Sequence, residues 1–404
     1  MSSFPHARAY PATDGINSAV LATTAGFVFA FRICVTFLWF QDDPKTATVL
    51  TIAVRLLLLG LVVGIQLLCD DPPEPTLRDR TVPHWIAAYL ALSAASLAWT
   101  TTPSMLAAAG YWAATTSDAL LVFLLVRGEA ASNRALQLMR GFVFGSLVVA
   151  AVAWASPATA DLRLGNDDFL HPNALGFEFA IATLFSIHLS RRHKLPGWIM
   201  VALAVTLLRT LSKASIAAFL CAVIVYLLRA ASIRRRTKMW IGITSFAVVA
   251  SFWSLLEAYI DIYAQGNHVE TLTGRTFIWA ESLDIALERP WLGHGFYSYR
   301  WIVPPFGDFE AWHAHNELLQ QFFTYGIAGV LVTSTLYFVF VRLLRRAGPS
   351  LEKELAIALF VFALVRGLVD TERFDLSFPL WLMAAFSAVL VHRTTTTPHP
   401  AHRA

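Results

Sequence analysis

The sequence is short of charge and of cysteine. Only 14% of its 404 residues are charged, while 56% are hydrophobic and the mean hydropathy is +0.57, against roughly 25% charged residues in soluble domains. So few charges exclude an ordinary water-soluble surface, and the expected solvent is a bilayer. The three cysteines, Cys34, Cys69 and Cys221, all fall inside apolar runs, which excludes a disulfide framework or a cysteine metal cluster. Strand-like alternation is missing, so helices are expected rather than a barrel. No internal repeat, low-complexity core or soluble appendage is present. The first apolar run, near 20–40, contains Arg32 and has no small-residue cleavage pattern after it, so it is read as a retained helix.

What is there is a series of twelve apolar runs, near 19–40, 46–69, 84–99, 104–126, 141–156, 173–190, 197–210, 214–230, 238–257, 317–343, 354–370 and 377–392. Their lengths predict an all-α, multi-pass membrane protein of about twelve transmembrane helices. With the N-terminus cytoplasmic, most basic residues fall in inside loops, including Arg78, Arg80, Arg127, Arg134, Arg140, Arg191, Arg192, Lys194, Arg234, Arg235, Arg236, Arg345 and Arg346. The positive-inside rule therefore puts both termini in the cytoplasm, and the net charge of +4 is topological rather than a sign of a nucleic-acid partner. Acidic residues such as Asp42, Asp43, Asp167, Asp168, Glu281, Asp284, Glu310 and Asp370 gather on the outer side. A cation that persists there is a functional candidate.

The expected organisation is nine spans in 1–257, an outer loop over 258–316, three spans in 317–392 and a cytoplasmic tail in 393–404 that looks disordered. One connection this long in a compact membrane protein is usually a lid or a site. Within it, Thr276 to Leu287 reads as a short interfacial helix ended at Pro290, with Phe277, Ile278, Trp279, Leu283, Ile285 and Leu287 apolar and Glu281, Asp284 and Glu288 polar.

Four polar, helix-interrupting sequences converge on that outer side: His171-Pro-Asn173, Arg209-Thr-Leu-Ser-Lys213, Gly274-Arg275 and His313-Ala-His315-Asn316. His315 stands at the mouth of a helix that continues to Gly326 and Gly329, a pair that permits close packing. A lone histidine there would be read as interfacial. With His313 before it and Asn316 after it, it is read as a base, because neutral imidazole suits removal of a proton from a sugar hydroxyl. Lys213 and Arg209 lie between two short apolar runs, where a continuous helix would bury them at a cost. They are read as functional, against snorkelling to the headgroups. Arg275, at the start of the interfacial helix, offers an anion site suited to a diphosphate, against a surface arginine.

Arg366 and Asp370, four residues apart, are read as a structural ion pair. Arg300 and His294 flank the return path of the loop. The pairs Asp42-Asp43 and Asp167-Asp168 have no third ligand spaced to complete a site, so no metal is expected.

These residues resemble the O-antigen ligase and polymerase superfamily. The likeness is carried by His315-Asn316-X9-Gly326-X2-Gly329, by Gly274-Arg-Thr-Phe-Ile-Trp279 through Pro290-Trp-Leu-Gly-His-Gly295, and by His171-Pro-Asn-Ala-Leu-Gly176. It implies a GT-C-like, inverting, metal-independent glycosyltransferase of the bacterial inner membrane, with no cofactor, acting at the periplasmic face. Its partners would be a polyprenyl-diphosphate-linked glycan donor, a glycan or lipid-core acceptor, and membrane lipids. By resemblance His315 is the base and Arg275 holds the diphosphate. Such proteins have Ser-Arg where this chain has Ser212-Lys213, so either Lys213 or Arg209 would make the second diphosphate contact. His313, Asn316, His171, Asn173 and Arg300 would support them. Ligase and polymerase both remain open, and a flippase or other transporter is the alternative from another class. A transporter would be expected to carry repeat symmetry and charges along a path.

Overall fold

A computed structural model describes residues 12–68, 80–128, 130–156, 163–165, 170–231, 233–251, 272–306, 310–371 and 377–396. Cys69, Asp167, Asp168 and the stretch 252–271, which covers the end of the ninth apolar run and the start of the long loop, lie outside the described residues. Within the described residues the chain is all-helical and forms no strand. In chain order the helices are α1 (Ala12–Phe31), α2 (Val35–Trp39), α3 (Pro44–Leu68), α4 (Thr81–Ser96), α5 (Met105–Leu125), α6 (Ala131–Ala155), α7 (Pro172–Arg191) and α8 (Gly197–Arg209). They continue with α9 (Lys213–Arg229), α10 (Arg235–Ser251), α11 (Leu272–Glu288), α12 (Tyr299–Ile302), α13 (Glu317–Arg346), α14 (Leu351–Gly367) and α15 (Ser377–Thr396).

Among the described residues each apolar run falls largely on helix, as expected where lipid offers the backbone no other partner. Among the described residues, five helical stretches are long and apolar enough to cross a membrane: Ser18–Trp39, Pro44–Leu68, Met105–Leu125, Ala131–Ala155 and Glu317–Arg346. Gly197–Arg209 and Ser377–Val391 are shorter apolar helices. Most boundaries shift by a few residues, and three of the differences bear on the reading. Helix α6 starts ten residues before 141, because Ala131, Ala135, Leu138 and Met139 form a buried stripe among polar residues that interrupt the run. Helix α11 begins at Leu272, ahead of Gly274, instead of at Thr276. Helix α15 runs on to Thr396, into the segment expected to be a disordered tail.

The main core is built around α15, whose residues from Phe378 to Val391 are almost all buried. Helices α1 and α6 touch along their length and run parallel: a side chain at Gly141 would overlap the Thr23 carbonyl, and one at Gly145, a turn further on, would overlap that of Phe27. Two of the mid-helix cations share one acid, Asp118 taking Arg32 at 2.9 Å and Arg55 at 3.5 Å as well as the Ser377 hydroxyl at 3.1 Å. At one end of the bundle Arg191 pairs with Glu354 at 2.8 Å and Arg192 pairs with Glu352, which ties α7 to α14. At the other end a second, smaller core of Ile278, Ala286, Tyr299, Val303, Ala311, Ala314 and Phe323 fastens the 272–316 segment to α13.

Candidate active site

The long helix α13 is broken at Gly326, whose backbone lies at φ 62° and ψ −155°. The break leaves backbone groups without helical partners, and the loop Pro290–Gly295 takes them up. Ile327 and Ala328 donate to the Pro290 and Trp291 carbonyls at 2.7 and 3.3 Å, while His294 and Gly295 donate to those of Phe323 and Thr324 at 3.0 and 2.8 Å. A Cβ at Gly326 would overlap the backbone of Pro290 to Leu292. The glycine of the histidine motif therefore serves to receive a loop, which differs from the helix packing expected of it. His294 is buried in the same joint, bonded to the Ile285 carbonyl at 2.9 Å and set against the Phe323 ring.

This joint sets the start of α13. Asn316 is its N-cap, accepting from the Leu319 N–H at 3.0 Å, and its amide nitrogen donates to the Leu368 carbonyl at 3.0 Å. Trp279 of α11 donates to the His315 carbonyl at 3.3 Å. Between these holds, His315 sits at φ 49°, a left-handed conformation that non-glycine residues rarely adopt and that concentrates at functional sites.

The residues after α14 complete the arrangement. His315 Nδ1 lies 3.1 Å from Asp370 Oδ1, and Arg366 Nη2 donates to Asp370 Oδ2 at 3.0 Å. Burial raises the Asp370 pKa, but the Arg366 guanidinium and the His315 bond outweigh it and hold the carboxyl well below the usual carboxylate range. Arg275 donates to the Val369 carbonyl, and the Thr371 hydroxyl donates to Glu317 at 2.7 Å. Sequence reasoning took Arg366 and Asp370 as a structural pair. They are paired, but the second carboxylate oxygen faces His315. The available signal was an acid at the outer end of a helix; its closeness to His315 is a tertiary fact.

The other two constellations also meet. Arg163 donates to the Asn173 side-chain oxygen at 2.8 Å and to the Thr210 carbonyl at 3.2 Å, and the Leu164 N–H donates to the Arg209 carbonyl at 3.1 Å. His171 caps α7, its Nδ1 accepting from the Asn173 N–H at 3.3 Å. Arg163 stands outside any motif, so the sequence marks it only as one of the cations on the outer side. Helices α8 and α9 are split at Thr210–Ser212, with Leu211 at φ 50°, and this brings Lys213 exposed to the first turn of α9 while Arg209 is half-buried. The two halves are joined through α7: the Arg366 guanidinium lies 4.3 Å from the Phe177 ring centre, and Gly176 beside it abuts Ser212. Arg300 lies against the rings of Trp301 and Trp312 and pairs with Glu310.

A histidine with its Nδ1 on a buried carboxylate is oriented to act as a base, and Arg275 is held beside the same helix end through the Val369 carbonyl. Residues 198–334 match the O-antigen ligase family model, Wzy_C. The matched span holds Arg209, Lys213, Arg275, His315, Asn316 and Gly326, whereas His171, Asn173, Arg366 and Asp370 lie beyond it. No curated protein matches the chain. The match is consistent with the O-antigen ligase and polymerase superfamily. It supports a membrane enzyme of that type, with glycosyltransferase-like activity on a lipid-linked glycan donor and a glycan acceptor.

His313, His315 and Asp370 each offer a ligand atom, all within 4.8 Å of one another, a grouping that sequence spacing could not reveal. As a metal site it is poorly suited. Both Asp370 oxygens are engaged by His315 and Arg366, and a divalent cation would face the guanidinium at close range.

Proposed function

We propose that the protein is an inverting, metal-independent glycosyltransferase. It moves a polyprenyl-diphosphate-linked oligo- or polysaccharide to an acceptor hydroxyl at the outer face of the bacterial inner membrane. The observation that carries this reading is the bond from His315 Nδ1 to a buried Asp370 that Arg366 keeps ionised. An ionised partner accepts a hydrogen bond from Nδ1–H, which keeps that proton on Nδ1 and leaves Nε2 free to act as the base.

In the proposed step, His315 Nε2 takes the acceptor's hydroxyl proton as that oxygen attacks the anomeric carbon. The bond from the anomeric carbon to the diphosphate oxygen breaks with its electron pair, and the polyprenyl diphosphate leaves. Arg275 and Lys213, with Arg209 on the other side of the Thr210–Ser212 break, neutralise it. Stabilisation of the leaving group is the larger contribution, and the base adds about 10²- to 10⁴-fold. The reading has twelve spans, both termini in the cytoplasm and a GT-C-like cavity capped by the 258–316 segment. Apolar Phe277, Leu283 and Leu287 are exposed on α11, which fits a helix resting at the membrane interface.

His315→Ala, still present in the membrane, is expected to lose transfer by at least about 10²-fold; full activity in that variant sinks the mechanism.

A further inference from the structure

We propose that Trp301 and Trp312, clamped around Arg300, form a carbohydrate-stacking subsite that holds a pyranose of the glycan next to His315. The inference rests on the glycosyltransferase reading above and adds to it a binding site for the sugar.

The two indoles are 44% and 41% exposed, and the fold holds them that way. Trp312 follows buried Ala311 and precedes buried Ala314, whose N–H is held by the Gln320 side chain at 2.8 Å. The intervening side chain therefore points outward on a rigid segment. Trp301 lies on α12, which is anchored by buried Tyr299 through a 2.6 Å bond to Ser282. The Arg300 guanidinium lies 4.6 Å from the Trp301 ring centre and 4.1 Å from that of Trp312, with Glu310 at 3.8 Å. Cation–π contact sets the ring orientations without covering the remaining indole surface.

Such a surface fits one class of ligand. A pyranose ring presents a face of C–H bonds with hydroxyls at its rim. The π-face of indole carries the negative end of a quadrupole, attracts C–H groups and gains from desolvating that face. Arg300 offers donors and Glu310 acceptors for the rim hydroxyls. A lipid is the poorer occupant, because an arginine–glutamate pair between the rings would be costly among acyl chains. The exposed apolar face suited to lipid is carried instead by Phe277, Leu283, Leu287 and Trp291. Trp312 is three residues from His315, a span of at most about 10 Å, so a stacked sugar is within reach of the base.

The test uses the full chain in detergent and, as probe, the lipid-free repeat oligosaccharide released by mild acid from the host's own lipid-linked glycan. Binding is read by saturation-transfer NMR and tryptophan fluorescence, and transfer is measured alongside it. Trp312→Ala and Trp301→Ala are expected to weaken oligosaccharide binding about tenfold and to raise KM for glycan similarly, with kcat within about twofold. Trp312→Phe is expected to recover much of the affinity, and His315→Ala to bind like the wild type. Unchanged binding in both alanine variants, with thermal midpoints near that of the wild type, overturns the proposal, as does a fall in kcat with KM unchanged. Loss of liposome retention without loss of oligosaccharide binding overturns it in favour of a lipid anchor. If His315→Ala transfers normally while the tryptophan variants still lose binding, the glycosyltransferase reading fails and the sugar site stands.

Discussion

In its proposed role as the base, His315 owes its character to its neighbours. Its strained backbone is held by Asn316 and Trp279, and its ring by Asp370. Asp370→Asn can still bond the ring but no longer favours a proton on Nδ1 in the same way, so transfer should fall about 10²- to 10⁴-fold while glycan binding persists. A single-turnover assay beside the oligosaccharide titration checks this. Because the folded-state pKa of Asp370 is lowered, the stability it adds is present above the ordinary carboxylate value and is lost as pH falls through the lowered one. Unfolding midpoints of the wild type should therefore drop below about pH 4 by more than those of Asp370→Asn. Across the neutral range Asp370 stays ionised, so any acid limb of the activity profile there belongs to another group.

At the scale of elements, the break in α13 and the loop Pro290–Gly295 are one device. The loop occupies backbone groups that an unbroken helix would have satisfied internally, and in doing so it fixes α11 and the start of α13 around His315. Gly326→Ala meets both a positive φ and the loop backbone, so it should destabilise the protein by more than about 1 kcal/mol and lower transfer by displacing the base. Thermal unfolding in detergent and a transfer assay on the folded fraction separate the two effects. The Thr210–Ser212 break between α8 and α9 has a different consequence, since it leaves Lys213 exposed and Arg209 half-buried. If Lys213 makes the second diphosphate contact, Lys213→Ala should raise the KM for donor about tenfold or more, and Arg209→Ala much less. The reverse order of effects assigns the contact to Arg209.

For the molecule as a whole, the enzyme and transporter readings diverge in reconstituted vesicles. Purified protein given a lipid-diphosphate oligosaccharide and an acceptor should release free polyprenyl diphosphate. Movement of intact donor between leaflets with no release identifies a flippase. Adding EDTA should leave the rate unchanged, and a loss restored by zinc would return the His313, His315 and Asp370 grouping to consideration as a metal site.

Hydrophobic run length made the helices legible in the sequence, because a bilayer admits few other structures and charge asymmetry orients them. Local polarity against that background marked His315, Arg275, Arg209 and Lys213. The partnership of His315 with Asp370, 55 residues away, was not legible, nor was that of Arg163 with Asn173 and the α8–α9 turn. Neither follows from spacing or composition. Each depends on which helix ends meet, and that is set by packing among helices whose apolar surfaces look alike along the chain.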